Sequence, residues 1–449
     1  MQEKTFVDLM VEDDGGGWKQ ILEKNKDARE FIKSIQNEPF KSKEQIAKIR
    51  LGFWNDLPLH KVKMYADPKY NSAQMQQILL GLLNGLSEKE VNLYANEKFN
   101  ERQMEQIATG LRMNGLTYDT VIQYADPKYS AGQMQEIRLG LVGGLSWDKI
   151  SLYLNPALNS DKMIMIRESF KCPKINVAKA KVYAKPYYSC EQMDELIKGF
   201  VNGLTIEQVS IYALATYNYR QMEEIREGLQ NGIDVSLYTD QKFNWIQMRE
   251  IRYGIRDGLS IEQVKTYADY KINSVDMQGI REALNKGLSE EEIEVFKNKN
   301  FDFCQIEQII TGFERGLSKN KVKVYANKDF DWLQMIQIRL GFETGLSIEQ
   351  VKTYAKDHYS KEYMEEIRLG LEAKLTEEQI AIYSNGKFTS TQMRQIRLGF
   401  EDSKLTDEQV IAYADASKSA NEMKKIRLNT IKLNENECLK EKLVDILKD

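Results

Sequence analysis

Histidine occurs twice in this chain, at His60 and His358, and cysteine four times, at Cys172, Cys190, Cys304 and Cys438, with no CxxC spacing. So sparse a set argues against a disulfide framework and against a zinc site, and fits a reducing compartment. No apolar run approaches the roughly 18 residues a membrane-spanning helix needs, and the first ten residues lack the basic-then-apolar order of a secretory signal. The expectation is a cytoplasmic protein without a membrane segment. Surplus positive charge is missing too. With a formal net charge of -4 and a pI of about 5.7, the chain offers no global attraction to nucleic acid or anionic membranes. Catalytic signatures are absent: there is no HExxH, no GxSxG, and the three glycines at 15–17 are not followed by the Gly-Lys-Ser/Thr of a phosphate loop. No enzyme activity, cofactor, metal or small-molecule substrate is expected.

What fills the chain instead is a repeat. The Met of a recurring Gln-Met pair anchors it at Met75, Met104, Met134, Met163, Met193, Met222, Met248, Met277, Met335, Met364, Met393 and Met423, with Ile46 and Ile306 in equivalent places. The step is 29 or 30 residues, except for 26 between Met222 and Met248. Four residues before each anchor stands Ser, Thr, Asn or Asp, a helix N-cap whose side-chain oxygen satisfies an orphan amide. Three after that cap comes Gln in most copies, as in Asp331 and Gln334, which completes a capping box. One before the cap there is usually an aromatic, such as Phe330, placed as a hydrophobic staple onto the anchor.

Apolar residues at the anchor, three on and seven on, as in Met335, Ile338 and Phe342, predict a first helix of about three turns. Six after the anchor sits Gly in nearly every copy, Gly341 for example, with Ser169, Ala283 and Asn429 as exceptions. Mid-helix Gly costs roughly 1 kcal/mol against Ala, so its recurrence implies a close approach by another helix. A second Gly, such as Gly345, ends the helix. A further Ser or Thr, with Glu or Gln three later, then opens a second helix carrying Val and Tyr-Ala, as in Ser347, Gln350, Val351, Tyr354 and Ala355. Neither helix can bury its apolar stripe alone. The fold class expected is all-α, an α-solenoid of about 13 tandem helix-turn-helix repeats of 29–30 residues with terminal capping helices.

The pattern QMxxIRxGLxxGLSxEQVxxYAdpKY, over about residues 42–430, resembles a tandem repeat of largely uncharacterised proteins of Gram-positive gut bacteria and their mobile elements. The resemblance implies a cytoplasmic, accessory or mobile-element setting and brings no activity with it.

Outside the array, residues 1–41 form an N-terminal cap segment with an amphipathic helix expected over 18–35, and 434–449 a C-terminal capping helix, leaving 42–433 as repeats. Two places break the pattern. Around Met163, Ile164 and Met165 replace the usual polar pair and Cys172-Pro173 displaces the helix-ending Gly, which offers an apolar contact or simple local repacking. After Gly232 three residues are missing, which shortens the second helix.

Four residues after the anchor ten copies carry Arg: Arg50, Arg138, Arg167, Arg226, Arg252, Arg281, Arg339, Arg368, Arg397 and Arg427. One reading is a track for phosphates or an acidic peptide, one Arg per repeat, as in modular RNA readers. The other is structural: Glu stands four residues on in Arg339/Glu343, Arg368/Glu372 and Arg397/Glu401, and Arg can also bond groups of the adjacent repeat. The structural reading weighs more, because a phosphate track needs surplus basic charge. The recurring Tyr is expected in the core with its hydroxyl at the polar edge. A Leu five after the anchor, in Leu51, Leu80, Leu139, Leu340, Leu369, Leu398 and Leu428, packs on the next repeat or, if exposed, faces a partner. The function expected is a non-catalytic scaffold for a macromolecular partner, a protein first and single-stranded nucleic acid second. Arg138, Arg167, Arg226, Arg252, Arg281, Arg339, Arg368, Arg397, Ile164 and Met165 are the candidate contact residues.

Overall fold

The computed structural model describes residues 17–446 apart from 36, 37, 39 and 41, with side chains described over 20–440. Every regular element among them is helical. The chain divides into two compact units, Met1–Gly232 and Ile233–Asp449, each an α-solenoid in which a first helix packs against the first helix of the next copy.

The second unit shows the brick clearly. Asp331 caps the helix Trp332–Glu343, accepting from the Gln334 amide while the Gln334 side chain returns to the cap. Met335, Ile338 and Phe342 are buried, as their spacing requires. Gly345, at φ +98°, turns the chain into a second capping box at Ser347 and Gln350, which opens Ile348–Tyr354. The same two boxes recur in the first unit, for example at Ser189 and Gln192 and at Thr205 and Gln208.

The Gly six after the anchor has a specific cause. In ten of these copies the Tyr that follows the second capping box drives its hydroxyl against the first helix, and a Cβ at Gly52, Gly81 or Gly312 would stand 1.8 Å from that oxygen. The expectation of a hydroxyl at the polar edge is corrected here. Tyr65, Tyr212, Tyr267 and Tyr354 are buried and donate inward, to the carbonyls of Lys48, Glu195, Glu250 and Gln337 at 3.2–3.3 Å. Burial pushes these phenols well above the ordinary tyrosine range, and Tyr183 up to about 12.

The ends differ in detail from expectation. The helix expected over 18–35 is two, Gly17–Lys24 and Lys26–Ile35, because Asn25 restarts the turn by accepting the Ala28 amide at 2.9 Å. Phe31 from the second of these lies 6.2 Å from the Phe53 ring and closes the first repeat. At the other end no break falls at 433/434: Ala420–Ile446 is one helix of 27 residues. Leu433 and Leu439 on it are exposed, while the side chains of Leu443, Val444 and Leu447 and the whole of 1–16 lie outside the described residues. The deletion after Gly232 reduces the second helix to a 3-10 turn, Val235–Leu237.

Candidate interaction surface

Polar side chains that recur once per repeat can serve either the fold or a ligand, and their partners decide between the two uses. The Gln of the capping box works twice. Its Oε1 accepts from its own N-cap amide, while its Nε2 donates to two carbonyls in the turn of the next copy: Gln334 to Asp357 at 2.9 Å and Tyr359 at 2.6 Å, Gln133 to Pro156 at 3.0 Å and Leu158 at 2.5 Å. In the irregular copy Lys162 replaces it and still reaches across, from Nζ to the Pro186 carbonyl at 2.7 Å.

The arginine row runs along the same junctions. In four copies Nε points to the Glu two after the anchor of the preceding copy: Arg167 to Glu136 at 2.8 Å, Arg226 to Glu195 at 2.7 Å, Arg281 to Glu250 at 2.9 Å and Arg397 to Glu366 at 2.7 Å. Arg368 reaches Gln337 at 3.1 Å, and Arg138 reaches Gln106 through Nη2 at 2.9 Å. Within their own helices Arg339, Arg368 and Arg397 pair with Glu343, Glu372 and Glu401, four residues on. Arg138, Arg226, Arg252, Arg368 and Arg397 are buried, and Arg167, Arg281 and Arg339 half-buried.

Charge follows this geometry. Burial works against the Arg397 guanidinium, yet bonds to Glu366 and Glu401 hold its pKa above the ordinary value; burial also pushes the Glu366 carboxyl up, and Arg397 pulls it part-way back. The row therefore joins neighbouring repeats and leaves little guanidinium surface open to a phosphate.

The outer face of the first helices is what remains exposed. Ile164 is exposed and Met165 half-buried, while Leu51, Leu80 and Leu428 of the Leu row are exposed and Leu139, Leu340, Leu369 and Leu398 half-buried. In the first unit Leu51 and Trp54 lie on Lys43–Trp54, beside Leu80 and Leu83 on the adjacent helix Ser72–Leu83, and all four are exposed. In the second unit the helix Trp245–Arg256 carries a stripe that sequence reasoning missed. Trp245, Arg249, Tyr253 and Arg256 follow one another at steps of four, four and three, the spacing of one helix face. The Arg249 guanidinium lies 5.1 Å from the Trp245 ring and 5.9 Å from Tyr253, and Arg256 lies 4.2 Å from Tyr253. The signal is present in WIQMREIRYGIR, but these residues occur in one copy and leave no mark on the repeat pattern.

No protein-family model matches the chain, and no curated protein matches it in sequence. Among the described residues no helix is long and apolar enough to cross a membrane, and no group of three or more His, Cys, Asp and Glu is placed to hold a metal ion.

Proposed function

We propose that this chain is a non-catalytic scaffold that binds a protein partner through the outer faces of its stacked first helices. One observation carries the reading: the side chains that recur are engaged in holding repeats together, whereas large apolar groups that occur irregularly stand exposed. On first helices Trp54 is 57% exposed and Trp332 41%. Exposed tryptophan is disfavoured by hydration unless a partner covers it, and contacts of this type dominate protein interfaces. A repeat array suits the task, since each copy adds area and a different set of outer residues without disturbing the core. The cytoplasmic, accessory or mobile-element setting we propose rests on the resemblance of the repeat alone.

Affinity capture from the native cell tests the reading, with mixed RNA and DNA oligonucleotides titrated in parallel at low and moderate salt. A stoichiometric protein and no salt-sensitive oligonucleotide affinity are expected. Capture of no protein, or oligonucleotide affinity that falls steeply with salt, overturns it in favour of the single-stranded nucleic-acid reading or neither.

A further inference from the structure

We propose that the outer stripe of Trp245–Arg256 is the anchoring point of this scaffold and takes an acidic segment of the protein partner, an inference that rests on the function proposed above. The stripe stacks indole, guanidinium, phenol and guanidinium along one helix face about 16 Å long. Trp, Tyr and Arg are the residue types that supply most of the energy of protein interfaces. On the first helices of the other copies in this unit, the same four positions never combine arginine with an aromatic; they read Ser274, Gln278, Glu282 and Asn285 on the adjacent helix.

The guanidiniums are held in place but not saturated. The Arg249 side chain is 32% exposed; its Nε is turned inward and buried, 3.6 Å from Glu250 Oε1, so the exposed part of the guanidinium is its outer end. Arg256 is 52% exposed and bonds Asp257 Oδ1 at 2.8 Å. Nearby Glu250 and Asp257 are shared with Arg281, at 2.9 and 3.4 Å, so the neighbouring carboxylates already answer a second cation. A carboxylate from outside finds the exposed ends of the Arg249 and Arg256 guanidiniums, which the Trp245 and Tyr253 rings hold in place. The stripe does not continue onto the next helix, where Glu282 stands at the position of Tyr253, so a short acidic segment lying along this one helix is favoured over a phosphate backbone running from repeat to repeat.

The test titrates the full chain against a fluorescein-labelled peptide of alternating glutamate and leucine, its glutamine counterpart, and an oligothymidylate. The glutamate peptide alone is expected to bind, and Arg249→Glu with Arg256→Glu is expected to weaken it at least about tenfold at unchanged helicity. Arg394→Glu, the same charge change at the equivalent of Arg249 in another repeat, is expected to alter it less than about twofold. Equal losses in both variants, no binding of the glutamate peptide, or preference for oligothymidylate overturns the proposal. Capture from the native cell separates the two levels. If the charge-reversed chain retains the partner of the unaltered chain at equal stoichiometry, the stripe is wrong and the scaffold stands; if the unaltered chain retains no protein, the scaffold itself falls.

Discussion

The hydroxyl of Tyr354 occupies the space that a Cβ on Gly341 would need, 2.1 Å from its position. That relationship recurs down the chain, and its exceptions prove informative. Where Ala283 stands in place of the Gly, the second helix carries Phe296 in place of the Tyr, so the methyl fits where no hydroxyl projects. Where Ser169 stands there, its Oγ lies 2.6 Å from the Tyr183 hydroxyl and bonds it. Gly341→Ala is therefore expected to destabilise its repeat by about 1–3 kcal/mol, despite the better helix propensity of Ala. Adding Tyr354→Phe is expected to recover most of that loss. Thermal unfolding of the single and double variants checks it, and a double variant no more stable than Gly341→Ala sinks the account.

Gln334 separates the two tasks of the capping box. Gln334→Glu keeps an acceptor for the Asp331 amide but loses the Nε2 donor to the Asp357 and Tyr359 carbonyls. A loss of about 1–3 kcal/mol is expected from those unsatisfied carbonyls. Hydrogen exchange should quicken locally, in the turn after Tyr354 and at the start of the next helix. Glu422 already makes the cap without a cross-repeat bond, which shows that capping itself tolerates the change.

Arg397 and Glu366 form a buried pair, so removing one member leaves the other without its counter-charge. Arg397→Met is expected to cost about 3–5 kcal/mol. Glu366→Gln is expected to cost less, because Arg368 bonds neutral Gln337 at the equivalent junction. Equal denaturation midpoints for the two variants would contradict the ladder as a source of cohesion.

Asp276 stands where most other copies have Gln and is fully buried, with Oδ1 lacking a hydrogen-bond partner. Its Oδ2 accepts from the Asn273 side chain at 2.9 Å and the Asn298 amide at 3.0 Å, neither of them a cation. Burial raises its pKa above the ordinary value. A carboxyl with a raised folded-state pKa gives its full stability below the unfolded pKa and loses it as pH rises through the folded one. Asp276→Asn is accordingly expected to raise the melting temperature at neutral pH, with the gain disappearing below about pH 4. A gain that is the same at both pH values would rule out titration as its cause.

Lys374 holds the left-handed conformation, φ +62°, at the helix end where Gly345 and Gly316 stand in other copies. Lys374→Gly relieves that strain at an exposed site and is expected to stabilise by about 0.5–1 kcal/mol. Urea titration of the full chain provides the measurement; a lower midpoint would show that the Lys side chain matters more than its backbone.

The sequence by itself determined the brick. Caps at Asp331 and Ser347, the Met335, Ile338 and Phe342 stripe, and the turn at Gly345 are local features, each satisfied within a few residues of where it is written. Only the tertiary structure decided what bridges the bricks. Arg397 and Glu366 lie 31 residues apart and Gln334 and Tyr359 lie 25 apart, and nothing in helical periodicity says which side chain meets which across a junction. The Tyr hydroxyl points inward for the same reason: the nearest unoccupied space is the one left by a glycine on the other helix. The stripe on Trp245–Arg256 is likewise a matter of tertiary structure, because exposure belongs to a surface and not to a residue.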